Sequence, residues 1–377
     1  MEKYNYLKQA IKIVKKLIES EGNVEDNIIN FLLDTNKNTR YTSEFIKKIC
    51  GKKISNIDLL GFTLLHKCVI LTAKYSNLNN ILCNYFHVFS EFHNSINITT
   101  NNGWTALHFA SRNSKTISTE KTVKLLIDAG ADVNLADNHG WSALHMASKY
   151  SKTDSTEDTV KLLIDAGANV NLQDNYGLSA LHLTSRNSKT YSTEGTVKLL
   201  IDAGANVNLL DNDSWSALHL ASRFSKTDST EGTVKLLIDA GANVNLQDND
   251  GWSALHLASS NSGTDSTEET VKLLIDAGAN VNLQNNDGWS ALHLASGNSK
   301  TTSTEGTVKL LIDAGANLNL QENDGWSALH IASKNSGTNG TEKTVKLLLD
   351  AGANVNLQDN DGCSVLHTAS RYSKSDS

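Results

Sequence analysis

The residues most readily given a chemical role are eight histidines. His108, His145, His182, His219, His256, His293, His330 and His367 each follow the last by 37 positions. Imidazoles ligate metals and carry protons, but a metal needs at least two of them close together. Packed helices sit about 8–10 Å axis to axis, so histidines on successive stacked units stand about 10 Å apart and cannot share an ion. Other chemistry is thinner still. There is no glycine-rich phosphate loop, no paired-cysteine metal motif and no Ser or Cys nucleophile motif. Cys50, Cys68, Cys83 and Cys363 show no paired spacing and read as reduced thiols of an intracellular protein. The chain is therefore expected to be no enzyme, with no metal and no cofactor.

Binding chemistry is better represented. Trp104, Trp141, Trp215, Trp252, Trp289 and Trp326 are all the tryptophans, and all hold one position of the repeating unit. Leu178 and Cys363 hold it in the other two copies. Tryptophan is enriched at binding hot spots. Each indole could equally stack on the neighbouring turn and only shield it, and both readings stay open. Three further columns vary between copies. One runs Asn102, His139, Tyr176, then Asp213, Asp250, Asp287, Asp324 and Asp361. A second runs Arg112, Lys149, Arg186, Arg223, Ser260, Gly297, Lys334 and Arg371. Beside it stand Asn113, Tyr150, Asn187, Phe224, Asn261, Asn298, Asn335 and Tyr372. Early copies thus offer cations and aromatics, and middle copies offer carboxylates. A partner of matching charge polarity is one explanation; drift on a solvated face is the other.

The elements that must position these residues follow from the 37-residue period, the mark of a solenoid. Seven full units run from about residue 101 and an eighth stops half-way, which is expected to leave the last helix partly uncovered. In one unit, Ser216 suits the N-cap of a short helix with Ala217, Leu218, Leu220 and Ala221 as its apolar face. A polar linker, SRFSKTDS, follows and reads as solvated loop; in it Ser266 with Glu269 of the next copy has the look of an acidic phosphorylation site. Thr230 then caps a second helix, GTVKLLIDA, with Glu231 in its first turn, where it suits the helix dipole and pairs with Lys235 four residues on. Gly241 sits where a left-handed residue would end that helix. The stretch ANVNLQDNDG suits a hairpin-like extension.

Bulk properties exclude other classes. Net charge is −7, with +3 in residues 1–60 and −10 in the remainder, so the repeat array lacks the basic surface that nucleic acid needs. No run of 18 apolar residues occurs, so no membrane span is expected, and the N-terminus does not read as a secretory signal.

GWSALHLAS resembles the ankyrin-repeat signature of Thr-Pro-Leu-His followed by small residues, and LLIDAGANVN resembles its Leu-Leu-x-x-Gly-Ala-Asp-Val-Asn. The match extends over 61–377, with two departures: Ala or Val stands for the Pro, and the unit is lengthened to 37 from the usual 33, the four extra residues lying between the helices. The near-identical, lengthened copies look most like ankyrin proteins of the mimivirus type, from giant viruses of amoebae. The resemblance implies a mainly α fold, an α-solenoid of stacked helix pairs with hairpin-like connections. It implies that the histidines tie loop backbone and that the tryptophan and variable columns line the partner-binding concave face and hairpin tips. Residues 1–60 are expected to form a helical cap or docking segment, 61–102 a diverged first repeat, and 103–377 the regular array. The implied function is a protein-binding scaffold, monomeric and in the cytoplasm of an infected host, whose partner is a host protein. The alternative is an adaptor that recruits host proteins to a ubiquitin ligase through residues 1–60.

Overall fold

The computed structural model of the chain describes residues 64–71, 96–336 and 338–372. Residues 1–60 and most of 61–102 lie outside them, so the expected cap and most of the diverged first repeat do too. Sixteen helices and no strand occur among the described residues. The chain divides into two compact units, residues 1–180 and 181–377.

Unit one holds α1 (Leu64–Leu71), α2 (Ala106–Arg112), α3 (Glu120–Asp128), α4 (Ala143–Lys149) and α5 (Glu157–Asp165). First helices pack in series, α1 on α2 and α2 on α4, and α3 packs on α5. Unit two begins one residue into α6 (Ala180–Asn187) and continues with α7 (Glu194–Asp202), α8 (Ala217–Arg223), α9 (Glu231–Asp239), α10 (Ala254–Asn261) and α11 (Glu268–Asp276). It closes with α12 (Ala291–Gly297), α13 (Glu305–Asp313), α14 (Ala328–Asn335), α15 (Glu342–Asp350) and α16 (Val365–Tyr372). Here too α8, α10, α12, α14 and α16 stack in order, as do α7, α9, α11, α13 and α15.

Each first helix is only two turns long, too short to be stable alone. Burial stabilises it: Ala217, Leu218, His219 and Ala221 are all 0–1% exposed. So does its cap. The Ser216 hydroxyl accepts from His219 N–H, while Ser216 N–H donates to His219 Nδ1 at 3.1 Å. This is a capping box in which histidine takes the place of the usual glutamate. Second helices start on threonine, with Thr230 Oγ1 accepting from Thr233 N–H at 3.0 Å, a cap worth about 1 kcal/mol. They end at a left-handed glycine, φ +85° at Gly241, where a side chain would be strained. The hairpin-like turn closes through Asp248 N–H to Trp252 O at 2.9 Å and one antiparallel bridge, Gln247 to Ser253.

The inter-helix segment departs from the solvated linker expected of it. Its serines are buried, Ser225 at 2% and Ser266 at 0% exposed. Thr270 Oγ1 donates to Ser225 Oγ at 2.6 Å, Ser225 Oγ lies 3.1 Å from Ser266 Oγ, and Ser266 Oγ donates to Ser222 O at 2.7 Å. The same chain of hydroxyls joins Thr159, Ser114, Ser155 and Ser111 O in unit one. The four additional residues per repeat therefore lie beside a hydroxyl seam between neighbours. Ser266, sealed in that seam, is no accessible phosphorylation site. The carboxylate of Glu231 also turns to the next copy, accepting from Thr267 Oγ1 at 2.9 Å instead of pairing with Lys235. The helix ion pairs run from lysine to the aspartate four residues on, as in Lys161–Asp165 at 2.9 Å. These are exposed and in the less favourable orientation, so they add little.

A third seam links the turns. Asn286 Nδ2 donates to Asn249 O, and Asn323 Nδ2 to Asn286 O, both at 3.0 Å. The turn glycine makes room for it: a Cβ on Gly251 would stand 2.7 Å from Asn286 N, and its φ is +81°. One copy has Ser214 there instead, at φ +63°. Its side chain bonds Asn249 Oδ1 at 2.7 Å, but the two seam bonds stretch to 3.3 Å (Asn249 N to Asp213 O) and 3.4 Å (Asn249 Nδ2 to Asn212 O). In α16, Leu366 is 66% exposed where Leu329 of α14 is 0%.

Candidate functional site

The histidine column is part of the frame. His145 accepts Ser142 N–H at Nδ1 (3.1 Å), and its Nε2 faces Leu178 O at 3.1 Å. His256 repeats this with Ser253 N–H and Trp289 O, at 3.1 and 3.0 Å. A backbone donor on one nitrogen and a carbonyl on the other require the neutral ring protonated at Nε2. Burial opposes the imidazolium and pushes His293 down to about 4. No cluster of three or more potential metal ligands occurs among the described residues. Of the cysteines, Cys68 is a buried free thiol whose burial pushes it up to about 12, far from a reactive thiolate, and Cys363 is free and half-buried.

Within each unit, the tryptophan, cation and aromatic columns come together on the face made by its turns and first helices. All six tryptophans are half-buried. The backbone of each is fastened at the turn, as in Trp141 N–H to Asp137 Oδ1 at 2.9 Å and Trp252 N–H to Asp248 Oδ1 at 2.7 Å. The rings lie 6.1–6.3 Å from the histidine of their own repeat in Trp141, Trp215, Trp252, Trp289 and Trp326. Cations cover several of them. Arg112 lies 5.6 Å from the Trp104 ring and 4.6 Å from Tyr150; Lys149 lies 4.9 Å from Trp141 and 5.5 Å from Tyr150. In unit two, Arg223 lies 5.6 Å from Trp215 and 5.2 Å from Phe224, and Arg186 lies 4.9 Å from Phe224. Lys334 covers Trp326 at 4.7 Å. From the sequence these side chains could contact a partner, or, for the indoles, only shield the neighbouring turn; the structure engages them first with one another, as cation–π stacks.

The asparagines that alternate with Tyr150 and Phe224 do something else. Asn113, Asn187 and Asn261 donate through Nδ2 to the carbonyls of Phe109, Leu183 and Leu257, at 2.8, 2.7 and 2.8 Å. They satisfy the ends of first helices, so that column is structural wherever it is Asn. Asp213, Asp250, Asp287 and Asp324 stand exposed at the turn apices. Their backbone N–H groups of Asp213 and Asp250 donate to the side chains of Asp211 and Asp248, each at 3.0 Å, which leaves their own carboxylates to solvent.

A helix pair, a left-handed glycine and a hairpin-like turn, repeated in register, define a repeat protein of the ankyrin class. A family model for ankyrin repeats (three copies) matches residues 70–174, 151–231, 226–305 and 299–377, and the chain belongs to that family. Ankyrin repeats are protein–protein interaction modules and are typically non-enzymatic scaffolds. No curated relative matches the chain. No described helix is long and apolar enough to cross a membrane.

Proposed function

We propose that the chain is a non-catalytic scaffold that holds a partner protein on the face carried by its turns and first helices. One observation carries this reading: the cation, aromatic and turn-apex columns that differ between copies come together with the tryptophans on that face. The invariant histidine, leucine and hydroxyl positions are buried in the frame, as His219 (1%), Leu237 (0%) and Ser225 (2%) illustrate. Among the positions that change, Arg112, Lys149, Arg186, Ser260 and Asp250 are half-buried or exposed. A frame that is copied with a face that is edited is what a recognition surface requires. The resemblance of the lengthened repeats to those of giant-virus ankyrin proteins makes a host-cell protein the partner, and the host cytoplasm the place of binding.

The test is capture of a partner by the full chain, followed by association kinetics of the Arg112→Glu, Lys149→Glu, Arg186→Glu triple variant. Slower association is expected in a chain that stays folded, with only the small loss of stability that follows from the broken cation–π stacks. Unchanged kinetics would remove this face from the interaction. Loss of a ligase component only on deletion of residues 1–60 would move the function to the adaptor reading.

A further inference from the structure

Wherever the column that follows the first helix supplies a cation and the turn supplies a tryptophan, in Arg112/Trp104, Lys149/Trp141, Arg223/Trp215 and Lys334/Trp326, the cation lies 4.7–5.6 Å from the ring centroid. Two adjacent repeats break this rule. Ser260 and Gly297 hold the cation position there, and among the described residues no cation lies over Trp252 or Trp289. Their rings also share a pose of their own. Each stands at 62° to its histidine, against 31–46° for Trp141, Trp215 and Trp326. Carboxylates stand at their turns, and the nearest cations of the column, Arg223 and Lys334, are engaged on Trp215 and Trp326 in the repeats on either side. Asp250, Asp287 and Asp324 at the adjoining turns are exposed and make no ion pair among the described residues.

We propose that Trp252 and Trp289 form a paired acidic–aromatic site for two Arg or Lys side chains of an extended basic segment in the partner protein. This rests on the scaffold reading above and names the partner's chemistry. The chain itself shows which group this indole face accepts, since four other repeats place a cation on it. The electron-rich ring face attracts a cation within about 6 Å. The three carboxylates add a field that draws basic segments in and rejects acidic ones. Spacing narrows the ligand further. Stacked first helices lie about 8–10 Å apart. An extended polyproline-type segment rises about 3.1 Å per residue with three residues per turn, so side chains three apart share a face about 9 Å apart. The expected motif is therefore basic-x-x-basic.

The experiment titrates the full chain with a synthetic peptide carrying two arginines three residues apart in a Gly/Pro/Ser background, read by calorimetry and tryptophan fluorescence. Ser260→Arg places the chain's own cation where the other repeats have theirs, and should weaken binding at least tenfold. Trp252→Leu should do the same without unfolding, since Leu178 already occupies this column. Trp141→Leu, outside the pair, should leave affinity unchanged. Gly297 is not used, because a Cβ there would stand 2.9 Å from Ile331 Cγ2. No binding by the wild type, equal binding by Ser260→Arg, equal loss in Trp141→Leu, or equal binding of a glutamate-for-arginine peptide would each overturn the proposal. A captured partner that is released by the Arg112/Lys149/Arg186 reversal yet held by Trp252→Leu would overturn this site while leaving the scaffold reading intact.

Discussion

The repeat that carries Trp141 and the repeat that carries Trp252 share one backbone design and differ in what surrounds the indole. In both, the turn closes on the tryptophan carbonyl, from Asp137 N–H at 2.8 Å and from Asp248 N–H at 2.9 Å. In both, a capping box fixes the histidine below it. Around Trp141 every valence is met from within the chain: Lys149 covers the face, and Nε1 donates to Asp174 Oδ2 at 2.9 Å. Around Trp252 the cation's position is held by Ser260, and the residue corresponding to Asp174 is Asn285. Asn285 spends its single oxygen on Trp289 N–H and Asp287 N–H, at 2.8 and 3.1 Å. Its remaining nitrogen is a donor and cannot accept an indole N–H. Two copies of one fold thus present a self-satisfied indole and an open one. The two copies keep one frame and differ in what lies over the indole.

Four measurements would break or sharpen that comparison. The largest effect should be the same in both repeats. His145→Ala and His256→Ala each remove a buried ring that serves two backbone groups, and each should cost about 3 kcal/mol in urea denaturation. A much smaller loss at His256 would mean the frames are not equivalent. Next comes acid. Burial lowers His293 to about 4 from an ordinary 6.5, so the unfolded chain binds the proton first as pH falls. The stabilising contribution is whole above about pH 6.5 and lost between there and about pH 4, by up to about 3 kcal/mol for this histidine. Burial also lowers His145 and His256, so the decline should appear in repeats of both kinds. Denaturation midpoints measured between pH 7 and pH 4 check it. Third, Lys149→Ala should cost about 0.5–1 kcal/mol through its lost stack, whereas Ser260→Ala should change stability by less than about 0.5 kcal/mol. Smallest is Ser214→Gly. It removes a left-handed side chain and lets the stretched asparagine seam close, and should gain about 0.4 kcal/mol after loss of the Ser214–Asn249 bond. A lower melting temperature would show that this bond outweighs the strain.

Much of the frame was legible because its signals are local. Thr230, Glu231 and Gly241 mark the second helix by capping and left-handed preference, and Gly251 marks the turn. The capping box was also in plain view, as Ser or Thr three residues before every histidine of the regular copies, but it is usually sought with glutamate. The hydroxyl seam was not legible. Ser225, Ser266 and Thr270 look like solvated loop one repeat at a time, and their burial exists only once a neighbour supplies the partner hydroxyls. The same applies to Glu231, which stands four residues from Lys235 yet bonds Thr267 in the next copy. Of the candidate site, the columns could be read from the sequence and their mutual contacts could not. Lys149 reaches Trp141, eight residues back, through the turn and first helix of one repeat, whereas Arg112 reaches Tyr150, 38 residues on, only through the stack.

By itself, then, the sequence determined the unit: its period, its caps, its two helices and its turn, because each depends on interactions spanning a few residues. It also determined which columns vary. The stack alone decided which linker hydroxyls are buried, where each histidine's second nitrogen finds a carbonyl, and that Glu231 bonds the next copy. Those outcomes depend on distances of 33 to 45 positions along the chain, where one copy completes the hydrogen bonds of another. Trp252 and Trp289 carry the same residue type as their counterparts. Their openness comes from Ser260 and Gly297, which leave without a cation a ring face that the chain covers in four other copies.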